Sequence, residues 1–106
     1  MIARVWRGVA IPESTEAYLA HLQHTVFPEF SSITGYHGAI VLQRELDDGI
    51  EITVQTFWAS MEAIHQFAGE QVTQAVVAPA AQPLFRRYDA TVMHCQVGLQ
   101  HELTFA

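Results

Sequence analysis

His37 and His94 are the side chains of this sequence best suited to moving a proton. An imidazole with an unperturbed pKa near ~6.5 is largely neutral at pH 7, and in a partly dry pocket it can accept a proton from a weakly acidic ligand. Strand alternation assigns both histidines to one face of a sheet. On that same face it places Arg4, Trp6, Gln43, Gln55, Phe57 and Gln96. Trp6 and Phe57 offer flat apolar area against which an aromatic ring can stack. Arg4 and the three glutamines offer polar contacts. The set describes a half-apolar pocket for a small aromatic molecule, with His94 and His37 as catalytic candidates and the other six as substrate contacts.

Other reactive side chains form weaker constellations. His21 and His24 lie three apart on a helix, but no third ligand accompanies them, so they read as a solvated face and no metal site is expected. Cys95 is the single cysteine, expected as an inert thiol buried on the helix side. Trp58 is expected in the core and His65 on the surface. Arg86-Arg87 reads as a solvated helix end, and His101 and Glu102 belong to a tail that can reach a partner subunit. No nucleophile triad, phosphate-cradling glycine loop or metal motif is present, and nothing in the motifs calls for a cofactor.

The chain has 106 residues, half of them hydrophobic, with Lys+Arg 5 against Asp+Glu 11 and a formal charge of −6. It contains no lysine and no asparagine. Phosphate neutralisation drives nonspecific nucleic-acid binding, so this charge argues against DNA or RNA as a partner. It argues equally against anionic lipid. No run approaches the roughly 18 apolar residues of a membrane span. One cysteine and no signal-peptide pattern suit a cytoplasmic protein. The length fits one domain, 1–106, and the apolar surplus points to burial against a second copy.

The elements that must position the candidates can be read in order. A first strand spans about Ile2 to Ala10. A helix opens at Pro12–Glu16 with Ser14 or Thr15 as cap, and Tyr18, Leu22, Val26 and Phe30 make its core-facing stripe. Pro28 is expected to bend or end it. A second strand, Tyr36 to Leu46, meets a third, Ile50 to Trp58, across an Asp47-Asp48-Gly49 turn. Ser60 caps a helix at 60–68, with Glu62 in its first turn, Met61, Ile64, Phe67 and Ala68 on one face and Gly69 as a left-handed stop. A weaker helical stretch at 70–78 ends at Pro79, an irregular connector holds Pro83 to Tyr88, and a last strand covers about Ala90 to Leu99.

The order β-α-β-β-α-β is the ferredoxin-like arrangement, an α+β fold with a four-stranded antiparallel sheet and helices on one face. Ile50, Ile52 and Val54 are assigned to the helix side, with Met93, Cys95 and Val97. Glu51, Thr53, Gln55 and Phe57 take the open face, joined by His37, Ala39, Val41, Gln43 and Glu45, by Val92, His94 and Gln96, and by Arg4 and Trp6. That face is too apolar for water and too polar for a dry core, which a cavity shared between two copies would reconcile.

Met1–Gly8, Phe57–Gly69, Ala75-Val76-Val77-Ala78-Pro79 and Val92–Val97 together resemble the antibiotic biosynthesis monooxygenase domain family, over nearly the whole chain. The resemblance implies a homodimeric α+β barrel closed through the open sheet faces. It also implies oxygenation of a phenolic or quinol-type aromatic without metal or flavin. Members of that family that oxygenate aromatics or degrade haem commonly rely on an Asn with a Trp, and this chain has no Asn. Phe67 stands where the haem branch has its Trp, and the haem-ligand position falls near Val77, so haem degradation by that route is not expected. The alternative is a non-catalytic dimer of the same fold that binds a small molecule or serves in stress.

Overall fold

The structure, a computed structural model, describes residues 1–103. Its central strand is β1 (Ile2–Ala10), paired along its whole length with β3 (Gly49–Trp58), which pairs in turn with β2 (Tyr36–Leu46). On the other edge of β1 lie two short strands, β4 (Phe85–Tyr88) beside Gly8–Ala10 and β5 (Met93–Gln96) beside Ile2–Val5. All pairings are antiparallel, in the order β2-β3-β1 with β4 and β5 sharing the last place. This is the expected α+β ferredoxin-like sheet, with one difference. The last strand is split in two, which makes five strands rather than four.

The split has a cause in the segment 70–81. That stretch is not helical as expected but crosses the sheet edge as an extended strap. Ala75 N donates to Ala90 O (2.9 Å), Val92 N donates to Thr73 O (2.8 Å), and Gln74 bridges Thr91. Asp89 N still donates to Arg7 O of β1, but residues 90–92 bond to the strap instead. The backbone groups of the strap thus find their partners across the sheet edge and not along a helix.

The helical layer covers one face of the sheet. α1 (Thr15–His21) runs through a π-helical turn (Leu22–Val26) into α2 (Phe27–Ser31), so Pro28 does not end the helix. A proline lacks the amide hydrogen and clashes with the carbonyl four residues back. The widened turn just before it changes that spacing, with Phe27 N bonding five residues back to Leu22 O. On a straight α-helix every fourth residue drifts by about 40°. The π turn takes back part of that drift and keeps Tyr18, Leu22, Val26 and Phe30 facing one cleft.

α3 (Met61–Ala68) starts as expected, with Ser60 Oγ accepting from Ala63 N at 3.2 Å. It ends at Gly69 with φ +73 and ψ −159, a region that is essentially glycine's alone, rather than in the left-handed helical region. Its own Ile64 and Trp58 of β3 are fully buried, with Met61, Phe67 and Ala68 packed around them.

The register overturns half of the assigned faces. Leu46 pairs with Gly49, so the hairpin loop is the two residues Asp47-Asp48 rather than three. A slip of one residue turns every side chain of a strand over. Ala39, Val41, Gln43 and Glu45 pair with Thr56, Val54, Ile52 and Ile50, so they lie on the helix side. Arg4 and Trp6 pair with Thr56 and Val54 and also lie there, and His94 and Gln96 pair with Arg4 and Ile2. Cys95 and Met93 consequently face outward, and Cys95 is exposed instead of buried. The assignments of Ile50, Ile52, Val54, Gln55 and Phe57 hold.

Arg86 and Arg87 lie on β4, not at a helix end. Both grip the hairpin loop, Arg86 Nε donating to the Asp48 carbonyl and Arg87 Nη1 to Asp48 Oδ2 at 2.5 Å. The outer face remains mixed, though with other members than expected. Leu42 is 48% and Met93 54% exposed, and Arg44 and Glu51 pair across it at 3.1 Å.

Candidate functional site

A cleft of about 320 Å³ opens between the sheet and the helical layer. β1 and β3 supply its floor through Arg4, Trp6, Val54 and Thr56. The α1–α2 helix supplies one wall, with Tyr18, His21, Leu22, Thr25, Phe27 and Phe30 among its residues. Phe67 and the strap residues Val76, Val77, Ala78 and Ala81 close the other side. The walls are largely apolar, and few polar groups converge on them. That is the usual form of a small-molecule pocket.

Arg4 is the charged group of the floor. It is 6% exposed, and its guanidinium lies 5.1 Å from the centre of the Phe67 ring. Nη1 donates to Val72 O (2.6 Å) and to His94 Nε2 (3.0 Å), and Nη2 donates to Gln74 O (3.0 Å). Every one of these partners is neutral, and among the described residues no carboxylate lies within ion-pair distance of Arg4. Burial lowers its pKa to about 10, which leaves it charged at pH 7.

Because an arginine only donates, His94 Nε2 must accept, and the imidazole proton sits on Nδ1. Desolvation, with Arg4 and His65 adding to it, pushes the His94 pKa below the ordinary value. His94 is therefore neutral at pH 7. It braces Arg4 from the β5 side and does not line the cleft.

Thr56 sits directly beside Arg4 in the register and is 4% exposed. Its Oγ1 accepts from Trp58 Nε1 at 2.8 Å, so the hydroxyl hydrogen is free to point elsewhere. Tyr18 is buried against Trp6 and Phe85, and burial raises its pKa, which keeps the phenol protonated. Its hydroxyl makes no side-chain hydrogen bond among the described residues. Trp6 Nε1 is engaged elsewhere, with Asp89 O at 2.8 Å, so the indole offers the cleft its ring rather than its donor.

Of the eight residues selected from the sequence, Arg4 and Trp6 line the cleft and His94 touches Arg4. His37, Gln43, Gln55, Phe57 and Gln96 do not line it. This cleft lies under the helices of one chain, whereas the site expected from the sequence lies on the open sheet face. Tyr18, His21, Thr25 and Thr56 were not selected. Tyr18 and His21 could have been found, since His21 lies one helical turn beyond Tyr18 on the edge of the apolar stripe. Phe67 and Val77, which the family resemblance singles out, both line this cleft.

No family model matches the chain, and no curated protein matches it. Among solved structures, a Bacillus cereus protein described as a "putative antibiotic biosynthesis monooxygenase" superimposes with a TM-score of 0.58. Identity is 14%, over 99% of this chain and 98% of that one. At that identity the likeness is one of fold: this chain has an α+β fold like that of the Bacillus cereus protein, which is the fold the sequence resemblance implies.

Proposed function

We propose that this chain is a cofactor-independent monooxygenase whose substrate, a small phenolic or quinol-type aromatic, binds in the cleft between sheet and helices. The observation that carries this reading is the cleft itself: aromatic and aliphatic walls around a buried arginine, with a protonated tyrosine on one side. An electron-rich phenolate or carbanion can pass an electron to dioxygen without a metal. For an anthrone-type substrate the ring CH₂ becomes a carbonyl. One oxygen atom of O₂ enters the product, and the other leaves as water with the two hydrogens lost from carbon. Tyr18 holds a ligand oxygen by donating to it, while Trp6 and Phe67 flank the ring. His21, on the cleft wall, takes over the role of proton acceptor assigned to His94 and His37.

The homodimer belongs to this proposal, as does a place in the cytoplasm and a single working unit over 1–106. Leu42 and Met93 on the outer face, beside Ile40, Val5 and Phe57, support pairing through the open sheet faces. In this reading the site is complete within each chain, and the pairing stabilises the sheet instead of enclosing the substrate.

Oxygen uptake with a panel of anthrones and hydroquinones tests the reaction. The Tyr18→Phe variant should lose up to about tenfold in kcat/KM, the worth of one hydrogen bond to the reacting molecule. Absence of uptake with every member of the panel would remove the monooxygenase and leave the non-catalytic small-molecule binder. That second reading is favoured by the lack of any asparagine in the chain.

A further inference from the structure

Arg4 carries a charge into a buried place where, among the described residues, no carboxylate comes within ion-pair distance. Its three partners are two peptide carbonyls and a neutral imidazole. A buried cation without a counter-charge is costly, and an arginine cannot escape the cost by losing its proton. Five N–H groups belong to a guanidinium, and three are accounted for. Nε and one Nη2 hydrogen have no acceptor among the described residues. Next to it, Thr56 accepts from Trp58 Nε1 and so has its own hydrogen to give. Cross-strand neighbours of this kind hold their Cβ atoms about 5 Å apart. Both residues line the cleft.

We propose that Arg4 and Thr56 form an anion subsite at the floor of the cleft, which takes the ionised oxygen of an aromatic phenol. The inference rests on the reading of the cleft as a small-aromatic site, and adds to it the protonation state of the bound molecule and the group responsible. Ionisation is then driven by a fixed positive charge in a dry place, and the substrate's proton leaves to the solvent side, where His21 lies on the cleft wall. The lowered pKa of Arg4 accords with this, since an anion beside it would relieve the burial that lowers it.

Other groups act on the same equilibrium. Glu29 on α2 lines the cleft and opposes ionisation, while His21 and Tyr18 face it from α1. His94 on β5 bonds to Arg4, and His65 on α3 lies close enough to His94 to act on its charge. Arg4 and Thr56 stand on the floor itself, and Arg4 is the one arginine among the residues that line the cleft.

The fluorescent phenol 4-methylumbelliferone tests the subsite, with 7-methoxy-4-methylcoumarin as a partner of the same shape that cannot ionise. The excitation spectrum of the bound phenol reports its charge directly. With wild-type protein the bound phenol should ionise at least one pH unit lower than the free dye. Above that pH it should bind at least tenfold more tightly than the methyl ether. Arg4→Met should abolish the shift, Arg4→Lys should restore part of it, and Thr56→Val should reduce it. If the variants fail to fold, the wild-type comparison decides alone. Equal binding of phenol and ether, or ionisation of the bound phenol at or above the pH of the free dye, overturns the anion subsite and leaves the cleft a neutral aromatic pocket. Binding of neither probe overturns the subsite too, and, joined to absent oxygen uptake, the proposed function with it.

Discussion

Arg4 and His94 show how one hydrogen bond fixes a protonation state. His94 can accept from Arg4 only while its Nε2 is bare, and burial together with the nearby charge holds its pKa below the ordinary value. Linkage gives the sign. The unfolded chain takes up the proton at a higher pH than the folded one, so stability falls as pH drops below the ordinary histidine range toward the folded pKa. The contribution of His94 is fully present above about pH 7. His94→Gln keeps an acceptor and removes the titration. Thermal melts between pH 7.5 and 5 should therefore show a shallower loss of Tm in His94→Gln than in wild type. Parallel curves would show that His94 does not couple to folding.

At the scale of elements, the strands were legible and their facing was not. The hydrophobic alternation of Ile50, Ile52 and Val54 identified β3 and its buried side correctly, because three aliphatic residues in phase leave no ambiguity. β2 carries Ile40 and Leu42 on one side and Ala39 and Val41 on the other, so its pattern does not choose a face. The choice passed to the turn, and reading Asp47-Asp48-Gly49 as three loop residues inverted it. Arg4 in a buried row is likewise invisible to alternation, since a charged side chain reads as outward unless its partners are known. The strap was missed for a related reason. Its bonds run to residues 90 and 92, far along the chain, while its composition allowed a helix.

The junction of β1 and β4 supplies a packing test on the same scale. Gly8 lies where a Cβ would come within 2.8 Å of two Phe85 ring carbons and 3.0 Å of Trp6. Phe85 packs edge-on against both Trp6 and Tyr18. The ring has nowhere to go without moving a cleft wall. Gly8→Ala should cost about 1–3 kcal/mol of stability by urea melt. An unchanged midpoint would mean that this aromatic corner is looser than its geometry.

For the whole molecule, the two faces of the sheet divide the work. One is sealed by helices and strap around the cleft, and the other leaves Leu42 and Met93 about half exposed. Charge placed there should split a dimer without touching the cleft. Sedimentation of a Leu42→Glu, Met93→Glu double variant is expected to show the monomer, with umbelliferone binding unchanged. A wild-type protein that is monomeric at tens of micromolar would remove the pairing and leave the single-chain pocket standing.

Cys95 gives that face a built-in reporter. It is the chain's one thiol, it points outward from the β5 edge, and its strand neighbour across the ladder is Ala3. A maleimide dye will therefore attach at one known place with no engineering. If another copy shields that place, labelling slows as protein concentration rises, and a spin label installed in dilute solution becomes a ruler from one molecule to the next.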